Sequence, residues 1–138
     1  VKLTNWYEWS GSPFGVIDKN GKRRPAYSAC RTLVTLLKGY RFRRRIELDS
    51  ERDYVVELEN QSGERAWCLW TSPPPGKSPD QARRHSVSIP LKLSGTTLYR
   101  VDLSGKKIQP VQIKGGSLTV TLTGAPFYLL TQPVSAME

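Results

Sequence analysis

The chain has 138 residues, 38% of them hydrophobic, and a formal net charge of +9. This length suits one domain of ordinary size with a short extension, and the hydrophobic fraction excludes wholesale disorder. No apolar run approaches the roughly 20 residues that cross a bilayer, so a membrane partner is not predicted.

The cysteines and the histidine exclude several kinds of site. Cys30, Cys68 and the single histidine, His85, lie far apart in the sequence, so no metal-binding spacing exists. A lone histidine does not make a catalytic triad. We expect two reduced, buried thiols, with a disulfide left open, and neither a metal nor a cofactor.

The first forty residues are predicted to form a strand, a loop and a helix. An aromatic-rich strand is predicted over residues 3–9. From Pro25 to Tyr40, apolar residues recur at three- and four-residue spacing, which indicates an amphipathic helix. We expect the face with Leu33 and Leu37 to pack on the domain that follows or to be left partly exposed. An exposed face would favour self-association.

From residue 41 onward the apolar period changes from about 3.6 to 2, which indicates strands. Glycine turns separate strands predicted around residues 42–48, 54–58, 66–71, 86–89, 98–103, 108–113, 118–123 and 127–132. The strand at 66–71 is apolar on both faces and is predicted to be central. Ser72 to Arg84, with four prolines and a glycine, is predicted to be a surface loop. This pattern predicts a mainly β fold, an antiparallel β-sandwich of about eight strands.

A strand–loop–helix unit is not a regular part of a β-sandwich, but it is the repeating unit of a parallel α/β fold. We therefore predict that residues 1–40 are the last such unit of a (β/α)8 barrel and that residues 41–138 are a C-terminal β-sandwich domain. The predicted strand ends in Trp6, Glu8 and Trp9. Indoles stack on sugar rings and a carboxylate accepts hydrogen bonds from hydroxyls, so these three residues are predicted to contact a sugar.

Four segments together resemble the final βα unit of clan-A glycoside hydrolases of the cellulase-like and β-xylosidase-like families. They are Trp6-Tyr7-Glu8-Trp9, Phe14-Gly15-Val16-Ile17-Asp18, Arg24-Pro25-Ala26-Tyr27 and Leu36-Leu37-Lys38-Gly39-Tyr40. The resemblance implies a tryptophan at the sugar site and a small β-sandwich after the barrel. It also implies an extracellular or periplasmic location and a glycoside hydrolase as the parent protein.

The catalytic carboxylates of such enzymes have no counterpart here. Retaining glycosidases need two carboxyl groups about 5 Å apart. The resemblance implies that both are glutamates ending the fourth and seventh barrel strands, upstream of Val1. Glu8 cannot replace the pair alone. We therefore assign no catalytic residue and predict that this chain alone does not hydrolyse glycosides.

Three roles remain open for the sandwich. The first is an accessory domain that supports an upstream barrel of the same protein. The second is a carbohydrate-binding module, in which exposed aromatic residues stack on sugars; the candidates are Trp67, Trp70, Tyr99 and Tyr128. The third is a basic module for a polyanion or a protein partner, with the candidates Arg41, Arg43, Arg45, Arg83 and Arg84. Nucleic acid is not expected, because no nucleic-acid motif accompanies the charge.

Overall fold

The computed structural model describes residues 10, 15–93 and 95–137. Within them, one α-helix precedes eight strands in antiparallel sheets, which confirms the predicted fold class. The elements are α1 (Pro25–Leu37), β1 (Arg41–Arg45), β2 (Asp53–Glu59), β3 (Arg65–Thr71), β4 (His85–Pro90), β5 (Thr97–Asp102), β6 (Ile108–Gln112), β7 (Ser117–Leu122) and β8 (Phe127–Leu130). The barrel strand predicted over residues 3–9 lies outside the described residues. Among those residues, helices with the length and apolar character needed to cross a membrane are absent.

Two sheets of unequal width form the sandwich. The wide sheet has the strand order β1-β2-β3-β8-β5-β6, and the narrow sheet pairs β4 with β7. The inner face of the wide sheet packs on the narrow sheet around Trp67, Leu69 and Ile89, all fully buried. β3 lies between β2 and β8, as its apolar faces predicted.

The outer face of the wide sheet packs against α1. Leu36 is buried there and Leu37 packs beside it, whereas Leu33 and Val34 are 45% and 63% exposed. The orientation follows from Thr32, which is fully buried and lies so close to the turn after β5 that a Cβ on Gly105 would be 2.8 Å from the Thr32 Oγ1. The two outcomes expected for the helical face are therefore divided between Leu37, which packs, and Leu33, which is exposed.

A β-bulge in β1 changes the predicted alternation. Simple period-2 alternation places Phe42 and Ile46 on one face. The pairing with β2 shifts between Phe42 and Arg44, so an extra residue stands in β1. As a result Phe42 pairs with Leu58 on the outer face and is 67% exposed, whereas Ile46 is buried in the inner core.

The proline-rich segment between β3 and β4 is held against the sandwich. It contains a short 3-10 turn, Pro79–Gln81, whose start is capped by Ser78. The turn before β8 contacts it so closely that a Cβ on Gly124 would lie 1.8 Å from the Pro79 carbonyl oxygen. The loop therefore has a fixed position beside the start of β4, where it borders a cavity.

Candidate functional site

A cavity of about 800 Å³ lies at one edge of the sandwich. Its wall is formed by the start of β2, the end of β3, the strand β4 and the proline-rich loop. Its lining residues include Asp53, Thr71, Arg83, His85, Ser86 and Ser88. This volume is in the range of pockets that hold small organic ligands.

Asp53 and His85 form an ion pair in the cavity wall. Asp53 opens β2 and His85 opens β4, and the His85 Nε2 lies 2.8 Å from the Asp53 Oδ2. The other ring nitrogen, Nδ1, lies 2.9 Å from the Arg83 carbonyl oxygen. A carbonyl oxygen and a carboxylate oxygen accept hydrogen bonds, and a protonated imidazole ring donates from both of its nitrogens. Both contacts therefore suit the protonated, imidazolium form of His85.

The surroundings of His85 favour this charged form. The hydrogen bond to the Asp53 carboxylate, followed by the bond to the Arg83 carbonyl, raises the pKa of His85 above its ordinary value. In this charged form, the ring has no lone pair for general-base catalysis. The pair therefore fixes the cavity wall and supplies charge.

The Asp53 carboxylate is buried and only half satisfied. Its side chain is 3% exposed, and its Oδ1 has no hydrogen-bond partner among the described residues. Asp53 pairs across the sheet with Thr71, which is also buried. A buried acceptor without a donor is costly, so this wall is suited to a polar guest or ordered water.

Opposite charges balance around the cavity. The acidic lining residues are Glu47, Asp49 and Asp53, and the basic ones are Arg52, Arg83 and His85 in its charged form. Five lining residues carry hydroxyl groups: Ser50, Thr71, Ser72, Ser86 and Ser88. The described part of the chain contains no group of three or more His, Cys, Asp or Glu side chains arranged to hold a metal ion.

A second buried carboxylate lies under the bulge of β1. Glu57 is 1% exposed, and its two oxygens accept from Arg43 at 2.8 Å and from Arg44 at 2.6 Å. Arg65 approaches the same carboxylate at 3.6 Å. The bulge brings two successive arginines to the same side of β1, which simple alternation would forbid. These ion pairs cover the inner face of the sheet at its β1–β2 edge.

The predicted sugar-contact residues do not form one surface. Trp6, Glu8 and Trp9 lie outside the described residues. Trp67 is fully buried in the core, with 0% of its surface accessible to solvent. Its ring therefore offers no face to a sugar.

Trp70 and Tyr99 are half-buried on the outer face, at different ends of the sheet. Trp70 directly follows Leu69, which pairs with Phe127 at the start of β8. Tyr99 pairs with Leu130 at the end of β8. One face of Trp70 is covered by Tyr54, with ring centroids 4.7 Å apart. The fourth aromatic candidate, Tyr128, is buried.

Tyr128 is 2% exposed and lies in the apolar cluster beneath α1, where burial raises its pKa to about 12. Cys68 packs against the same cluster, and both Cys68 and Cys30 are free thiols. Burial raises the pKa of Cys68 to about 12, so its reactive thiolate form is disfavoured.

The predicted polyanion residues are also divided. Arg43 is engaged with Glu57 and Glu59. Arg45 donates to the Asp53 carbonyl oxygen at 3.0 Å, and its guanidinium stacks 4.2 Å above the Tyr54 ring. Arg83 borders the cavity.

Arg41 and Arg84 are exposed, on the edge strand and just before β4 respectively. Much of the positive charge of the Arg41–Arg45 run is thus matched by carboxylates within the domain. The five arginines do not make one continuous basic surface.

Sequence reasoning missed the Asp53–His85 pair. The two residues are 32 positions apart, and no motif joins them. They meet because β2 and β4 begin at the same edge of the sandwich, which depends on the strand order. Glu57 carried a weak signal, since it has the same parity as the apolar Val55 on β2 and follows an arginine run in the sequence.

Comparisons with known proteins bear on the fold. No protein-family model matches the chain, and a search of curated proteins finds no match. Among solved structures, the chain is similar to a family 39 glycoside hydrolase from the gut symbiont Bacteroides cellulosilyticus WH2, with 24% sequence identity and a TM-score of 0.66. The alignment covers 86% of this chain and 22% of that one. The chain therefore shares its fold with about a fifth of a glycoside hydrolase.

Proposed function

We propose that this chain is the accessory β-sandwich region of a glycoside-hydrolase-like protein, where it supports a catalytic barrel and carries no complete catalytic site. The observation that carries the proposal is the structural similarity over 86% of the chain to one part of a family 39 glycoside hydrolase. The same proposal assigns residues 1–40 to the end of the barrel, with Trp6, Glu8 and Trp9 near its sugar site.

The helix α1 supplies the physical support for an attachment role. One side of α1 is anchored on the sandwich through Leu36 and Leu37. Another side presents Leu33 and Val34, which are 45% and 63% exposed. A helix with apolar residues on two sides is suited to lie between two packed bodies. In the proposal, the second body is the barrel.

The exposed side of α1 is tested by sedimentation velocity. We expect the isolated chain to self-associate through Leu33 and Val34, so that its sedimentation coefficient rises with protein concentration. The double variant Leu33→Asp/Val34→Asp should stay monomeric. Thr119→Asp, an exposed change on β7, is the matched control and should behave as the unmodified chain. A concentration-independent monomer for the unmodified chain would count against the attachment surface.

The missing catalytic pair is tested by an activity assay. The chain should release no aryl alcohol from p-nitrophenyl β-xyloside or β-glucoside above the rate of the buffer. The physical reason is that glycoside hydrolysis needs an acid and a second carboxylate at a fixed separation. Turnover that is retained after repurification would contradict the accessory assignment.

A further inference from the structure

We propose that the cavity beside Asp53 and His85 is a binding site for a neutral, polyhydroxylated ligand, of the size of a mono- or disaccharide. The inference is independent of the attachment role of α1, because the cavity lies on the opposite side of the wide sheet. The cavity lining includes none of the aromatic candidates Trp67, Trp70, Tyr99 and Tyr128.

Charge balance selects a neutral ligand. The lining contains three carboxylates and three cations when His85 is protonated, so no sign of charge dominates the cavity. A polyanion would meet Glu47, Asp49 and Asp53, and a polycation would meet the two arginines and His85. Paired carboxylate and guanidinium groups can instead accept from and donate to neighbouring hydroxyls of one neutral molecule.

The remaining lining is suited to hydroxyl groups. Serine and threonine side chains both donate and accept hydrogen bonds, and five of them border the cavity. The apolar members Leu48, Val87 and two prolines can contact the C–H faces of a ring. Among the described residues, the lining includes no aromatic platform, so hydrogen bonds rather than stacking would provide the specificity.

The cavity is preorganised. The ion pair of Asp53 and His85 joins β2 to β4, and the Gly124 contact with Pro79 holds the loop on the other side. The Asp53 Oδ1 also lacks a donor among the described residues, although the residue is almost fully buried. A wall fixed before binding reduces the cost of ordering side chains and loops when a ligand binds.

The site is tested by isothermal titration of the chain with glucose, xylose, galactose and cellobiose, with glucuronate and glucosamine as charged probes. We expect millimolar or tighter binding of at least one neutral sugar and weaker binding of both charged sugars. Ser88→Phe, which adds bulk at a lining residue of the cavity on β4, should weaken that binding at least about tenfold. Thr119→Phe is the matched control, because Thr119 pairs with Ser88 on the neighbouring strand but does not line the cavity.

Arg83→Gln is a second variant on an exposed side chain, which should preserve the fold and weaken binding severalfold. Far-ultraviolet circular dichroism and the melting temperature check each variant. Saturable binding of a neutral sugar that is lost in Ser88→Phe and kept in Thr119→Phe supports the proposal. Absence of binding by every neutral sugar, preference for a charged sugar, or equal loss in both phenylalanine variants would overturn it. None of these results changes the sedimentation behaviour expected for α1.

Discussion

The two faces of the wide sheet are covered in different ways. The outer face is closed by α1 and by the C-terminal residues Val134 and Met137, and its buried contacts are mainly apolar. The inner face is covered by only two strands, and at its β1–β2 edge it carries the buried carboxylates Asp53 and Glu57. A two-stranded sheet is too narrow to cover six strands. Ion pairs complete the cover where apolar packing ends, and the cavity lies at this boundary.

The test with the largest expected change in the free energy of unfolding compares two tryptophans of one strand. Trp67 is fully buried in the inner core, whereas Trp70 is half-buried on the outer face. Trp67→Ala should lower the free energy of unfolding by about 3–5 kcal/mol, because it leaves a large cavity. Trp70→Ala should cost about 1–2 kcal/mol, since it loses partial burial and the stack on Tyr54. Urea unfolding followed by circular dichroism measures both, and equal losses would contradict the two environments.

The second test removes a buried charge. Glu57→Gln should destabilise the fold by about 2–3 kcal/mol, because Arg43 and Arg44 lose their shared counter-charge near the core. Glu59→Gln is the control, since Glu59 is 38% exposed and its contact with Arg43 is 3.5 Å long. It should cost at most about 0.5 kcal/mol. Comparable urea midpoints for the two variants would show that the buried pairs do not stabilise the edge.

The third test displaces the loop beside the cavity. Gly124→Ala places a Cβ against the Pro79 carbonyl, so the loop must move, at a cost of about 1–3 kcal/mol. Gly63→Ala is the comparison, because Gly63 has a φ of +78° but open space around its Cβ position. That change should cost about 1 kcal/mol through backbone strain alone. Limited proteolysis should cut the proline-rich loop faster only in Gly124→Ala.

The smallest expected effect is the pH dependence from His85. Its folded pKa is raised above the unfolded value, so the pair stabilises the protein fully below about pH 6.5. This contribution is lost as pH rises through the folded pKa. Urea unfolding between pH 6 and pH 9 should show this loss in the unmodified chain and a flatter profile in His85→Gln. The same slope in both proteins would assign the pH dependence to other groups.

Local signals in the sequence were sufficient for most of the fold. Alternation and glycine turns located the strands, and the two apolar faces of residues 66–71 identified the central strand. The bulge at Arg43 was not predictable, because it accompanies contacts of two successive arginines with Glu57 on the next strand, which alternation along β1 does not reveal. The candidate site was harder to predict from the sequence than the bulge, since the contact between Asp53 and His85 depends on how distant strands are ordered.

The division between an attachment face and a ligand-binding edge is tested most directly by NMR titration. The amide spectrum of the uniformly ¹⁵N-labelled chain would be recorded during addition of the tightest-binding neutral sugar. The account predicts shift changes in Asp53, Thr71 and residues 83–88, with the amides of α1 unmoved. Shift changes centred on α1 or on Tyr54 and Trp70, with the cavity residues unmoved, would contradict it.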